Sequence, residues 1–567
     1  MTTIRDRIIA ASADGTLLQT IANLSDPQLS NNTDELAFEL ADAHNAGLID
    51  AVATFRGLKN SGDHHFWLTQ DVFEKALPEL SAPVIDVMTC CDGLMKEEGN
   101  SGTVLNAYAN FLARDPARYE RALREIENTT DLLSLVVATL AAGSRTDPTG
   151  ALAHAFRLAQ HPEPSVRGPA ISALALLEGL RPVPDQAKAM LERVASDESE
   201  DTVRAAAIRA LSHFAQTDSR HKAWTELAGR IVTSGGSHTI HAAADALNGG
   251  EKLPKAFRDT LLAHLPGINP ENRGTLATLD LAAYRLVKVD PVAVIDFLQV
   301  ALVKHYGKLS METFTHTASA LRQDLPLIGS LITRWFLNGE PALCEAIRDL
   351  IAGYHGNTPR LAVDVAHIDT SDPNAIAFLA RKVIGYLFFR PATVIAIVAS
   401  LMAIVPPPMA KDVGQLTFET MLVNYSGEAQ DALREEMNAH EEPLKTLLAE
   451  PLQQLEAYLA QLPEGPLLGA LQPSQAHREI QTRRRRDLIR AAAEQAESRS
   501  VFASLFKKSV MLYGRSSIHY IHTPGQEPRR MQTSLQKHGV RMEVPRMSII
   551  DPIGLDYILR TFRGERP

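Results

Sequence analysis

The sequence predicts a mainly α chain, an α-solenoid of stacked helical hairpins that ends in a small α+β C-terminal module. Three observations predict it. The runs "SVRGPAISALALL" and "TVRAAAIRALSHF" repeat at an offset of 37 residues, so Val166-Arg167 recurs as Val203-Arg204, Ala170 as Ala207, Ala173 as Ala210 and Leu174 as Leu211. A unit of that length, with a helix on each side of its turn, buries its apolar face only by stacking on its neighbours. The chain has 567 residues, whereas a single globular core stops growing at about 250–300. A content of 45% hydrophobic but only 6% aromatic residues, rich in Ala and Leu, suits stacked helices better than a sheet sandwich. The expected organisation is an N-terminal helical region over 1–148, helical repeats over 149–470, a basic helical linker over 471–509 and the α+β module over 510–567.

The N-terminal region reads as successive helices broken by Asp, Asn and Gly, among them "IRDRIIAAS", "GTLLQTIANL" and "DELAFELADAHNAGLIDAVATFRGL". "SGDHHFW" places His64 and His65 in an expected loop, with no Cys or carboxylate at ligand spacing to complete a metal site. Cys90, Cys91 and Cys344 are too few for a disulfide framework and are expected to be reduced and buried. The start "MTTIRDRIIAASADG" lacks the charged-then-apolar order of a secretory leader, so a cytoplasmic protein is expected.

The repeats can be read turn by turn. Leu152, Ala155, Phe156 and Leu158 fall at helical spacing, "QHPEPS" interrupts, and Val166, Ala170, Ala173, Leu174 and Leu177 resume. Pro162 and Pro164 stop the first helix, and Ser165 is the expected cap of the second, as Asp201 or Thr202 is in the next unit. This V-R-x-x-A-x-x-A-L pattern resembles the HEAT family over these units. A fainter copy follows at "TIHAAADALNGG", where Thr239 and Ile240 replace the Val-Arg pair. The resemblance implies a superhelix used as a binding surface, and a structural role for Arg167 and Arg204 against acidic groups of a neighbouring turn.

Past residue 223 the runs "NRGTLATLDLAAYRLVKVD", "PVAVIDFLQVALVKHYG", "LPLIGSLITRWFLNG" and "PALCEAIRDLIAGYHG" continue as helical hairpins. His238 and His241 share a helix face but have no acidic helper at motif spacing. "PATVIAIVASLMAIV" is too short for the about 20 residues of a membrane span and reads as a buried helix.

Charge reverses near the C-terminus. From Pro473 onward there are 18 Lys plus Arg against nine Asp plus Glu, which leaves 39 against 58 for the body. Arg478, Arg483, Arg484, Arg485, Arg486 and Arg490 cluster in one helical stretch, and Arg529 and Arg530 follow. These eight are the candidate contacts to phosphates or to an acidic partner, either a nucleic acid or the acidic body itself. Beyond Val510, "SIHYIH", the turn "TPGQEP" and the alternation of Val540, Met542 and Val544 predict strands, and Asp551 followed by Pro552 predicts a helix start. Tyr513, Gly514, Arg515, His519, Arg546 and Arg563 are further candidates for an anion pocket.

Phosphate-binding glycine loops, HExxH, a nucleophile elbow and paired-Cys zinc spacing are absent, and Ser504-Leu-Phe-Lys507 lacks the companions of its motif. The expected function is therefore a non-enzymatic scaffold or adaptor that binds a partner protein within a multi-component complex, with no cofactor, no metal and no membrane. The alternatives are a nucleic-acid-binding repeat protein that uses the basic C-terminal region, and an enzyme whose site is assembled from scattered residues.

Overall fold

A computed structural model describes residues 3–25, 33–60, 64–98, 102–128, 131–177, 185–354, 359–462, 475, 479, 482–483, 486–487, 490, 516–521, 529–534 and 543–567. The chain divides into two compact units, Met1–Gln323 and Asp324–Pro567.

In the first unit each helix packs on the next helix but one, which is what a stack of helical hairpins requires. One layer runs through Ile4–Ala13, Thr33–Asn45, His64–Ala76, Gly102–Ala113, Val136–Thr146, Pro164–Ala173, Asp201–Thr217, Ser237–Ala246, Arg273–Val287 and Thr315–Leu321. A second layer contains Asp185–Asp197, His221–Thr233, Lys255–His264 and Pro291–Lys304. The ladder thus extends to both sides of the residues in which the repeat is visible. Small Ala170, Ala173, Ala207 and Ala210 are fully buried in the shared layer and allow close helix approach.

Polar side chains tie each hairpin to the next. Arg167 donates from Nε and Nη2 to the Glu198 carboxylate, at 3.0 Å each, and from Nη1 to the carbonyls of His161 and Pro162. It therefore joins the turn of its own hairpin to that of the following one. Arg204 donates to the Ser234 carbonyl in the equivalent way. Carboxylates supply a second kind of link, at Asp201 beside the Arg204 bond and at Asp280 further along. The Asp201 carboxylate accepts from the backbone N–H groups of Gly236 and His238 and from Thr239 Oγ1, all at 2.6 Å. Asp280, 3% exposed, accepts from the N–H and Oγ1 of Thr317, at 2.9 and 2.8 Å, and from the N–H of His316 at 3.0 Å. In both cases a carboxylate of one hairpin caps the helix start of the next, where free N–H groups and the helix dipole favour negative charge.

Two expected caps are corrected. The helix Pro164–Ala173 begins at Pro164, so Ser165 lies inside its first turn and makes no cap bond there. Asp201 is the first residue of its own helix, and its side chain serves the neighbouring repeat instead. His64 and His65 open the helix His64–Ala76 and do not lie in a loop. All three cysteines are free and buried, and burial pushes the Cys90 thiol up to about 12.

In the second unit the helices Leu325–Asn338, Pro341–Ala352, Pro373–Leu387, Pro391–Ile404, Pro407–Thr417, Glu428–Ala439 and Leu444–Ala460 again pack on alternate neighbours. Pro391–Ile404 is the apolar run, nearly all of it buried. No described helix is long and apolar enough to cross a membrane.

The small α+β C-terminal module is not supported. Ser516–Ile521 pairs antiparallel with Arg529–Ser534, with Tyr520 opposite Arg530, but residues 543–545 are not a strand and 540–542 lie outside the described residues. The terminal helices Arg546–Ile550 and Pro552–Gly564 pack on each other, and the second of them packs on Pro373–Leu387. The physical reason is that the terminal helix finds partners on the helix Pro373–Leu387 and so extends the packing of the repeats.

Candidate protein-docking surface

The C-terminal segment Glu543–Pro567 is fastened to the second unit at its two ends. At the first, Glu543 accepts from the N–H groups of Gly427 and Glu428, at 3.0 and 2.6 Å, and so caps the helix Glu428–Ala439 from a distant part of the sequence. Asn424, 4% exposed, accepts from the N–H of Arg546 on its carbonyl at 3.0 Å and from the N–H of Met547 on Oδ1 at 2.9 Å. Asp551 then starts the terminal helix by accepting from the Gly554 N–H at 2.9 Å, with Pro552 in the first turn as the sequence predicts.

The second fastening is a socket on Pro373–Leu387. Lys382 is fully buried in a mostly apolar helix, and its Nζ donates to the carbonyls of Arg563 and Glu565, at 2.7 Å each. These are carbonyls that a helix end leaves without intrahelical partners, and a cation is favoured there. The rings of Phe378 and Tyr386 lie 5.1 and 5.8 Å from the same ammonium group. Burial holds the Lys382 pKa below the ordinary lysine value. Arg381 grips the Glu565 carboxylate with two hydrogen bonds, at 2.7 and 2.5 Å. In the opposite direction Arg563 Nε donates to the Gly385 carbonyl at 2.6 Å, and Arg566 donates to the Gly339 carbonyl at 3.1 Å.

Gly385 fits the socket for a steric reason. A Cβ there would stand 2.9 Å from Phe562 Cβ and 3.3 Å from the Arg563 nitrogen. Glycine in a helix interior costs about 1 kcal/mol relative to alanine, and its missing Cβ leaves the space the segment occupies.

The outward side of the fastened segment is aliphatic. Ile549 and Ile550 at the end of Arg546–Ile550 are 56% and 69% exposed, and Ile553 and Tyr557, one turn apart on Pro552–Gly564, are 80% and 71% exposed. Clustered exposure of large apolar side chains marks interaction surfaces, whereas singly scattered ones do not.

The residues singled out by charge fall elsewhere. Arg483, Arg486 and Arg490 are helical and exposed, and no described carboxylate pairs with any of them. Arg530 is exposed and Arg529 precedes it on the same strand. Arg478, Arg484 and Arg485 lie outside the described residues, as do Tyr513, Gly514 and Arg515. Arg563 does not face an anion, since its guanidinium is committed to a helix carbonyl. Arg381, Lys382, Gly385 and Glu565 were not marked by motif or by charge density. The available signal was the adjacent Arg381-Lys382 pair set four residues before Gly385 in an apolar helical run.

No curated protein matches the chain. A solved structure described as a homology model of the full-length AP-3 complex in an intermediate open conformation is similar at 11% identity, with a TM-score of 0.30, over 76% of this chain and 86% of that one. Residues 123–248 match the family model of HEAT repeats. That stretch is HEAT-repeat-like, within a chain whose described residues form stacked helical hairpins.

Proposed function

We propose that this chain is a non-enzymatic helical-repeat scaffold that binds a partner protein within a multi-component complex, with the terminal helix as its docking element. The exposed apolar side chains of Ile553 and Tyr557 on that helix and of Ile549 and Ile550 just before it, on a segment held by two polar fastenings, carry this reading. A helix presented in this way inserts its apolar side chains into a groove on the partner. Affinity capture with the full chain at moderate salt, wild type beside an Ile550→Asp/Ile553→Asp variant, tests it. A stoichiometric protein retained by the wild type and lost with the variant is the expected result. A wild-type monomer that captures nothing would count against the scaffold.

A second reading, phosphate contact through Arg478, Arg483, Arg484, Arg485, Arg486, Arg490, Arg529 and Arg530, is favoured by the exposure of Arg483, Arg486 and Arg490. Titration with labelled DNA and RNA from low to physiological salt separates the two. Binding that weakens as salt rises supports the second reading, and absence of binding at low salt eliminates it.

A further inference from the structure

We propose that the socket around Lys382 is a peptide-binding site which the chain fills with its own C-terminus, and which accepts the same segment from a second copy of the chain. This goes beyond the scaffold reading and does not rest on it. The occupant is specified in detail. The socket selects a helix end through two carbonyls on Lys382, a following carboxylate through Arg381, and a close backbone approach through Gly385. The segment answers with Arg563 on the Gly385 carbonyl and Arg566 on the Gly339 carbonyl, so recognition runs in both directions.

The seat is also shallow. Of residues 543–567, Leu555 alone is buried, and the rest are half-buried or exposed. An element held by polar latches with almost no core of its own belongs to the low-stability end of local opening. Opening leaves Lys382 without its two carbonyl acceptors, and refilling by any copy of the segment restores the same bonds. Eighty-two residues, 461–542, separate the seat from the helix Leu444–Ala460. The tether favours a chain's own segment through effective concentration, so exchange between copies grows with protein concentration. Swapping an identical element between protomers is a low-cost route to a dimer.

The test is complementation between two full-length variants. Gly385→Ala blocks the socket, leaves the segment intact and improves helix propensity. Arg563→Glu/Glu565→Lys disables the segment and leaves the socket intact. Neither seats its own segment, and mixing them should give a heterodimer by light scattering, while each alone stays at its own mass. A labelled synthetic peptide of residues 543–567 should bind the segment-disabled chain. The same peptide carrying Glu565→Lys should bind about tenfold to a hundredfold more weakly, as loss of a charged, bidentate contact implies. A measurement without protein variants guards against misfolding: the wild-type peptide with a photoreactive residue at position 562, which lies against Gly385, added to the wild-type chain, should cross-link to Pro373–Leu387. No heterodimer with both variants folded by circular dichroism, or cross-links that avoid that helix, would overturn the proposal. Failure to capture a partner protein would leave these results untouched.

Discussion

Asp218 shows how a single side chain couples this fold to pH. Its carboxylate, 4% exposed, accepts from the backbone and side chain of Arg220, whose guanidinium also reaches Asp185 and lies 5.0 Å from the Trp224 ring. The Arg220 side chain holds the Asp218 carboxyl down to about 2, against an ordinary 3.8. A carboxyl depressed in the folded state contributes stability that is complete above its ordinary pKa and is lost as pH falls through the folded value. Asp218→Asn should therefore lower stability by on the order of 1–2 kcal/mol near neutrality. The deficit against wild type should shrink between pH 3.8 and about 2. Chemical denaturation at stepped pH checks both the size and the window. Asp201 is held below its ordinary value as well, because bonds from Thr239, Gly236 and His238 outweigh the opposing effect of its burial.

Much of this was readable one residue at a time, and some of it was not. Asp551 before Pro552 identified a helix start correctly, and the same pair opens helices at Asp147-Pro148, Asp290-Pro291 and Asp372-Pro373. The Asp201 link was not legible, because its donors come from a turn 35 to 38 residues away that resembles a cap only once folded. The triplets Ser237-His238-Thr239 and Thr315-His316-Thr317 recur 78 residues apart and were the available hint. The buried Lys382 carried no motif at all, since its partners are main-chain carbonyls of the last turn of the chain.

At the scale of elements, glycine in a helix is a test of what lies against it. A Cβ on Gly329, inside Leu325–Asn338, would meet the Ala362 carbonyl oxygen at 2.2 Å, whereas one on Gly93, inside Val84–Glu98, would meet nothing within 4 Å. Gly93→Ala should accordingly raise stability by about 0.5–1 kcal/mol through helix propensity. Gly329→Ala should lower it by about 1–3 kcal/mol, because backbone has to move. Thermal unfolding of the two variants side by side decides this, and equal shifts would contradict the close approach at Ala362. The same logic explains why the C-terminal module was misread. Alternation in "SIHYIH" correctly gave a strand, but pairing alone makes no module. An amphipathic helix without its own core packs on whichever surface supplies partners, and local sequence does not name that surface.

Across the whole molecule, the stacking arrangement was legible from two copies of one pattern, while its extent was not. The ladder in the first unit continues from Ile4 to Leu321 because each hairpin needs only a compatible neighbour, not a conserved Val-Arg pair. At Asp280–Thr317, beyond the last Val-Arg pair, the identifying letters have vanished and the architecture persists. Interactions of nearest-neighbour character imply that damage stays local. Asp280→Ala removes the acceptor of Thr317 and His316 at a buried position and should cost about 2–4 kcal/mol. Hydrogen exchange should accelerate in Arg273–Val287 and Thr315–Leu321 and remain unchanged in Ile4–Ala13. Uniform acceleration across the unit would contradict a nearest-neighbour stack.

The two kinds of inter-hairpin link also differ as mechanical joints. Arginine and glutamate at Arg167–Glu198 span the gap with long side chains, and the planar guanidinium fixes the contact by a bidentate grip on the carboxylate. Aspartate clasping threonine and main-chain N–H groups has almost no slack, so the joints at Asp201 and Asp280 behave as rivets. A load that pulls neighbouring hairpins apart is therefore opposed at Asp201 and at Asp280 by short clasps seated on main-chain N–H groups.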